Sequence, residues 1–220
     1  MTIEPFVLLV ATIPLLGYLL VLALVRVSGR VLITTGGRDT AAVGLAVAGM
    51  FVIGPAELFF PYSTATLLGA WVWVPLAVLY LLVISLIALT GRPRLVVYGR
   101  NAEEMFPALC RACESMDAST LANAESMQVH LPALGAHVRL EANAKQDCLT
   151  IEAFETTLPI AFWDALLAAL RGQVRSTASP QPRRGILMLI LTCVTIVWVT
   201  RHALIHPEEL VEGFRQWLVR

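Results

Sequence analysis

Two runs of alternating apolar and polar residues meet across a turn in Ser126-Met-Gln-Val-His-Leu-Pro-Ala-Leu-Gly-Ala-His-Val-Arg-Leu-Glu141. Met127, Val129 and Leu131 are the apolar members before Pro132, and Val138 and Leu140 those after Gly135. Alternation is the period of a half-buried strand, and a Pro- and Gly-containing connection between two such runs predicts a hairpin. A four-residue turn, 132 to 135, sets Val129 opposite Val138 and His130 opposite His137. The run Cys148 to Ala153 extends the pattern, with Leu149 and Ile151 inward and Thr150 and Glu152 outward. The expected sheet has one apolar and one polar face.

Outward from this hairpin, two helix-like segments can cover the apolar face. Asn101 to Met116 carries Met105, Phe106, Leu109, Cys113 and Met116 at helical spacing, and Leu158 to Arg175 carries Phe162, Trp163, Leu166, Leu167, Leu170 and Val174. Asn101 and Glu104 have the spacing of a capping box. With Leu95-Val-Val-Tyr98 as a further strand, the expected order is β-α-β-β-β-α. That is a two-layer α+β domain over residues 92–178, near the lower size limit for an independent core.

The remaining chain is of another kind. The whole is 57% hydrophobic and 15% charged, with mean hydropathy +0.73, outside the range of soluble domains. Four apolar runs, near residues 6–25, 41–60, 65–89 and 185–204, reach the roughly 20 residues that a helix needs to cross hydrocarbon. The first has no basic residue ahead of it and is too long for a signal peptide, so it reads as a retained span. The predicted fold class is a multi-pass α-helical membrane protein with four transmembrane helices and a small cytoplasmic α+β domain between helices 3 and 4. Residues 1–91 form the three-span region, 179–206 a linker and the fourth span, and 207–220 an amphipathic interfacial helix headed by Pro207 with Glu208 and Glu209.

Arginine placement supplies the orientation. Arg26, Arg30 and Arg38 lie between the first two runs, and Arg92, Arg94, Arg183 and Arg184 bracket the 92–178 segment. The positive-inside rule puts both of these regions in the cytoplasm and both termini outside, in a plasma or inner membrane. Arg92, Arg94, Arg183 and Arg184 become candidate contacts to lipid headgroups, with Arg100, Arg171 and Arg175 near them, while ten carboxylates occupy the middle of the segment. Zero net charge argues against a nucleic-acid partner. The partners expected are the bilayer and either another protein or a second copy of the chain.

Candidate chemistry is sparse. Glu57, in Gly54-Pro-Ala-Glu57, is the one ionisable residue well inside an apolar run, which suggests an ion ligand beside a broken helix or a carboxylate reaching the outer interface. Cys110 and Cys113 form a CxxC two turns into a helix rather than at its N-terminus, so paired small core residues are favoured over a redox or metal site. The cross-strand pair His130 and His137 reads as a surface metal or pH-sensitive patch, or as two neutral imidazoles on a solvated face. His202 and His206, at i and i+4 near the depth of Glu57, have metal-ligand spacing, which Pro207 disturbs. Ala42, Ala46 and Gly49 make a small-residue face suited to close helix packing. Triads, phosphate loops, dinucleotide fingerprints and the HExxH pattern are absent, and no cofactor is implied. The leading reading is a membrane-anchored interaction or scaffold protein. The alternatives are a small transporter or channel-complex subunit using Glu57, and a metal- or thiol-dependent membrane enzyme.

Overall fold

The computed structural model describes residues 4–55, 69–143, 148–155, 158–174 and 182–219. In chain order the elements are α1 (Pro5–Val27), β1 (Leu32–Thr35), α2 (Gly36–Ile53), α3 (Trp73–Thr90), β2 (Arg94–Tyr98), α4 (Ala102–Met116), β3 (Leu121–Asn123), β4 (Gln128–Leu131), β5 (Ala136–Asn143), β6 (Cys148–Ala153), α5 (Ile160–Val174), α6 (Pro182–Ile205) and α7 (Pro207–Val219). They divide into two compact units. One comprises Met1–Leu22, Thr40–Leu89 and Leu187–Arg220, the other Ala23–Asp39 and Thr90–Ile186.

The helical unit contains most of the four helices that are long and apolar enough to cross a membrane: Pro5–Val27, Gly36–Ile53, Trp73–Thr90 and Gly185–Ile205. Small residues set the spacing of the first three. A Cβ on Gly49 would overlap the carbonyl oxygen of Val10, so α2 lies directly against the α1 backbone there. A Cβ on Gly44 would come within 2.6 Å of Ile84 on α3, and the Tyr80 hydroxyl donates to the Gly44 carbonyl at 2.6 Å. Phe51 stacks on Tyr80 with ring centroids 4.5 Å apart. The small-residue face of α2 is thus used within the chain. Thr12, Thr192 and Thr195 each donate to the carbonyl four residues back, which satisfies their hydroxyls within their own helices.

The second unit is a six-stranded antiparallel sheet in the order β1-β2-β6-β5-β4-β3, with α4 and α5 packed on one face. The hairpin has the expected register, with Val129 opposite Val138 and His130 opposite His137. Its turn is a 3-10 segment, Pro132–Leu134, closed by Gly135 at φ 60° and ψ 32°, a left-handed conformation natural to glycine. Inward-facing Leu95, Val129, Val138 and Ile151 are fully buried against Met105, Leu109, Leu166 and Leu170.

The expected four strands become six. β1 comes from the segment between α1 and α2 and pairs antiparallel with β2, Leu32 opposite Tyr98 and Thr35 opposite Leu95. Ile33 completes the apolar layer at 4% exposure, and the Arg171 guanidinium on α5 donates to its carbonyl at 3.0 Å. With a neighbour on each side, β2 is an interior strand, and Leu95, Val96, Val97 and Tyr98 are all buried. β3, the opposite edge, is three exposed residues long, a length that discourages edge-to-edge association. The predicted capping box does not form as expected. Asn101 has the extended backbone of an N-cap but its side chain accepts no helix N–H, and the Glu104 carboxylate approaches Arg100 at 3.6 Å.

Candidate functional site

The sheet face away from α4 and α5 gathers most of the polar side chains that strand alternation turns outward. One cross-strand row runs Gln128, Arg139, Glu152, Arg94. Arg94 reaches Glu152 at 3.7 Å and folds over Gly36, where a Cβ would stand 2.6 Å from its Cγ. Arg139 pairs with Glu141 at 3.1 Å. A shallow depression of about 540 Å³ lies between these strands, lined by Glu125, Gln128, Arg139 and Glu141 among others. These exposed pairs contribute little to stability, about 0–1 kcal/mol each. The face is polar and open along β4 and β5, whereas toward β2 Val96, Tyr98 and Cys148 on the same face are buried.

The next row is different. Leu121 stands opposite His130, His130 opposite His137, and the Phe154 N–H donates to the His137 carbonyl at 3.0 Å. Leu121 is 64% and Phe154 56% exposed, so two large apolar side chains flank two imidazoles at the surface. The imidazoles stack face to face, centroids 3.9 Å apart and planes within 5°.

Two carboxylates that sequence reading did not single out hold this end of the sheet. Glu155 accepts the His137 backbone N–H at 2.8 Å and approaches its Nδ1 at 2.7 Å. Burial alone would raise the Glu155 pKa, but these bonds and the nearby imidazole outweigh it and the net shift is downward. Asp117, 6% exposed, accepts the Ser119 N–H, the Ser119 hydroxyl and the Ala133 N–H. Its pKa is lowered, first by the Ser119 hydroxyl, then by the two backbone donors and the field of His130 against an opposing cost of burial. Asp117 thereby ties the end of α4 to the hairpin turn. Asp117-Ala-Ser119 is a local Asx-type turn, but nothing nearby in sequence shows the reach of Asp117 to Ala133 or of Glu155 to His137, because both partners are brought up by the fold.

The other candidates are placed as follows. Cys113 is buried and Cys110 half-buried on α4. Burial, with the charges of Cys110 and Glu114, pushes the Cys113 thiol up to about 12, and burial and Glu114 raise Cys110 too. Neither supplies a thiolate at neutral pH. His202 stacks on Trp198 at 5.9 Å and lies edge-on to His206 at 5.3 Å. His206 sits at the break between α6 and α7, with Nδ1 3.6 Å from Glu209. Glu57 lies outside the described residues, as do the side chains of Arg183 and Arg184. Arg92 is exposed. Of the further arginines near the ends of the segment, Arg100 and Arg171 turn to protein partners. Among the described residues no three His, Cys, Asp or Glu side chains converge as a metal cage.

No protein-family model matches the chain, and no curated protein or solved structure matches it either.

At one end of the helical unit, aromatic rings gather. Trp217 on α7 stacks on Trp73 at 4.3 Å and meets Phe6 at 5.9 Å, while Phe214 meets Phe6 edge-on at 5.8 Å. Gly213 leaves room for the Phe6 ring, whose Cβ would be 2.9 Å from a Cβ there. Glu208, Glu209 and Glu212 of the same helix are exposed. The aromatic side of this amphipathic helix is thus turned in part to Phe6 and Trp73 of the same unit.

Proposed function

We infer that the chain is a membrane-anchored interaction protein, which holds its sheet unit at the cytoplasmic surface of a plasma or inner membrane and offers the open sheet face to a protein partner. The reading rests on one observation, the contrast between the two faces of the sheet. The inner face is closed by α4 and α5, while the outer face exposes Leu121 and Phe154 beside a depression rimmed by Arg139, Glu141 and Glu125. Large exposed apolar side chains within a polar rim are the usual composition of a docking surface. Four apolar helices supply the anchorage. The cytoplasmic side, with both termini outside, follows from the arginines at 26, 30, 38, 92 and 94, and Arg92 and Arg94 would meet anionic headgroups.

A photo-crosslinking residue at Gln128 or Leu121, introduced in intact membranes, is expected to capture one recurrent protein, a second copy of the chain included. Its yield should fall when Arg139→Glu reverses the charge of the face. A face that captures nothing, or whose captures ignore Arg139→Glu, overturns the docking reading. A reporter fused after Arg220 that proved cytoplasmic would overturn the orientation.

A further inference from the structure

We propose that His130 and His137 form a two-histidine site for a divalent transition-metal ion such as Zn²⁺, oriented by Glu155. The two side chains are directly opposed on adjacent antiparallel strands, where side chains leave the backbone about 4.5–5.5 Å apart. Their rings are 3.9 Å apart. Zinc–nitrogen bonds of about 2.0–2.1 Å at a tetrahedral angle place two ligand nitrogens about 3.4 Å apart. Imidazole lone pairs lie in the ring planes, so the parallel stack presents faces to the gap; opposite rotations about the soft χ2 torsions, with the Glu155 side chain following His137, bring both Nε2 atoms onto one ion.

Glu155 decides which nitrogen His137 offers. A carboxylate only accepts, so at 2.7 Å it fixes the proton on Nδ1 and leaves Nε2 with its lone pair outward. This carboxylate–histidine arrangement is the one that orients metal-bound imidazoles and raises their basicity. His130, half-buried between Leu121 and His137, has the negative field of Asp117 beside it. The Asp117 oxygens accept from Ser119 and Ala133, which holds the carboxylate in place and leaves its charge to favour a cation near His130. Arg139, two residues along β5 on the same face, opposes binding, but its guanidinium is turned to Glu141. His137 is half exposed, so water or a donor from outside the chain fills the remaining positions. The pair is distinct from His202 and His206, whose rings lie edge-on at 5.3 Å across a helix break.

The test is a calorimetric titration of the purified full chain in detergent with Zn²⁺. One ion per chain is expected at this site. His130→Gln and His137→Gln should each weaken its binding by at least about tenfold, as should Glu155→Gln through loss of orientation. A His202→Gln, His206→Gln double variant should leave this binding unchanged. In the unsubstituted chain, Zn²⁺ should shift the ring resonances of His130 and His137 ahead of all other histidines, which needs no variant to fold. Unshifted His130 and His137 rings, or affinity unaltered in His130→Gln and His137→Gln, overturn the site.

Discussion

Gly135 and Asp117 are two small devices that hold the hairpin in register. Gly135 sits at φ 60° with nothing within 4 Å of where a Cβ would be, so an added methyl meets no neighbour and costs only backbone strain. Gly135→Ala should therefore lower the stability of the sheet unit by about 1 kcal/mol without moving the strands, measured by thermal melting of the full chain and by amide exchange in β4 and β5. Asp117 works through charge. Its pKa is lowered on folding by Ser119 and Ala133, so its contribution is present above the carboxylate's unfolded value, about 4, and is lost as pH falls through the lower folded value. Melting temperatures of the chain and of Asp117→Asn should differ clearly at pH 7, draw together as pH falls below about 4, and meet only below the lowered folded value. A gap that persists in acid would mean that the carboxylate's shape and not its charge is what counts.

At the scale of elements, what was legible and what was not divide by range. The β4–β5 register was readable because alternation and turn lie side by side in sequence, and the helical stripe of α4 because it repeats within the helix. β1 was not, since Leu32-Ile-Thr-Thr35 is four residues long and its second half falls in Thr34 to Thr40, which reads as a turn although α2 already begins at Gly36. Only β2, far along the chain, makes it a strand. Asn101 and Glu104 had capping-box spacing, yet the Asn101 side chain accepts no helix N–H, which depends on a rotamer that spacing cannot rank. For the site, the histidine pair was visible, but Glu155 reaches His137 only because the chain bends at Phe154. The small residues of α2 carried a real packing signal without naming the partner. Gly49 meets the Val10 backbone, whereas Gly17 has nothing within 4 Å. Gly49→Val should part α1 from α2 and destabilise the helical unit by about 1–3 kcal/mol, while Gly17→Ala should be neutral, both read from thermal aggregation in detergent. Equal behaviour of the two variants would remove α1–α2 contact as the role of Gly49.

The whole molecule interleaves its two units, because β1 precedes α2 and α3 while its partner β2 follows them. A sheet unit cut out as residues 94–174 therefore lacks its first strand. It would lose Ile33, 4% exposed, whose burial is worth about 1.5–3 kcal/mol, and would turn β2 into an edge with an uncovered ladder. The pairing itself suggests the repair. Thr35 lies opposite Leu95, so the end of β1 and the start of β2 adjoin, and α2 and α3 occupy the position of a hairpin loop. Joining Gly36 to Arg94 through Asn-Gly, the residues that favour the tight turn of a two-residue hairpin, should give a chain of residues 28–36 and 94–174 that folds without α2 and α3. Tyr98 loses its bond to Asp39 in both versions, so that loss cancels in the comparison. The joined chain should unfold cooperatively with protected amides in β2, and should exceed the 94–174 chain in stability by at least the Ile33 contribution. Equal denaturant midpoints for the two chains would show that β1 only decorates the sheet.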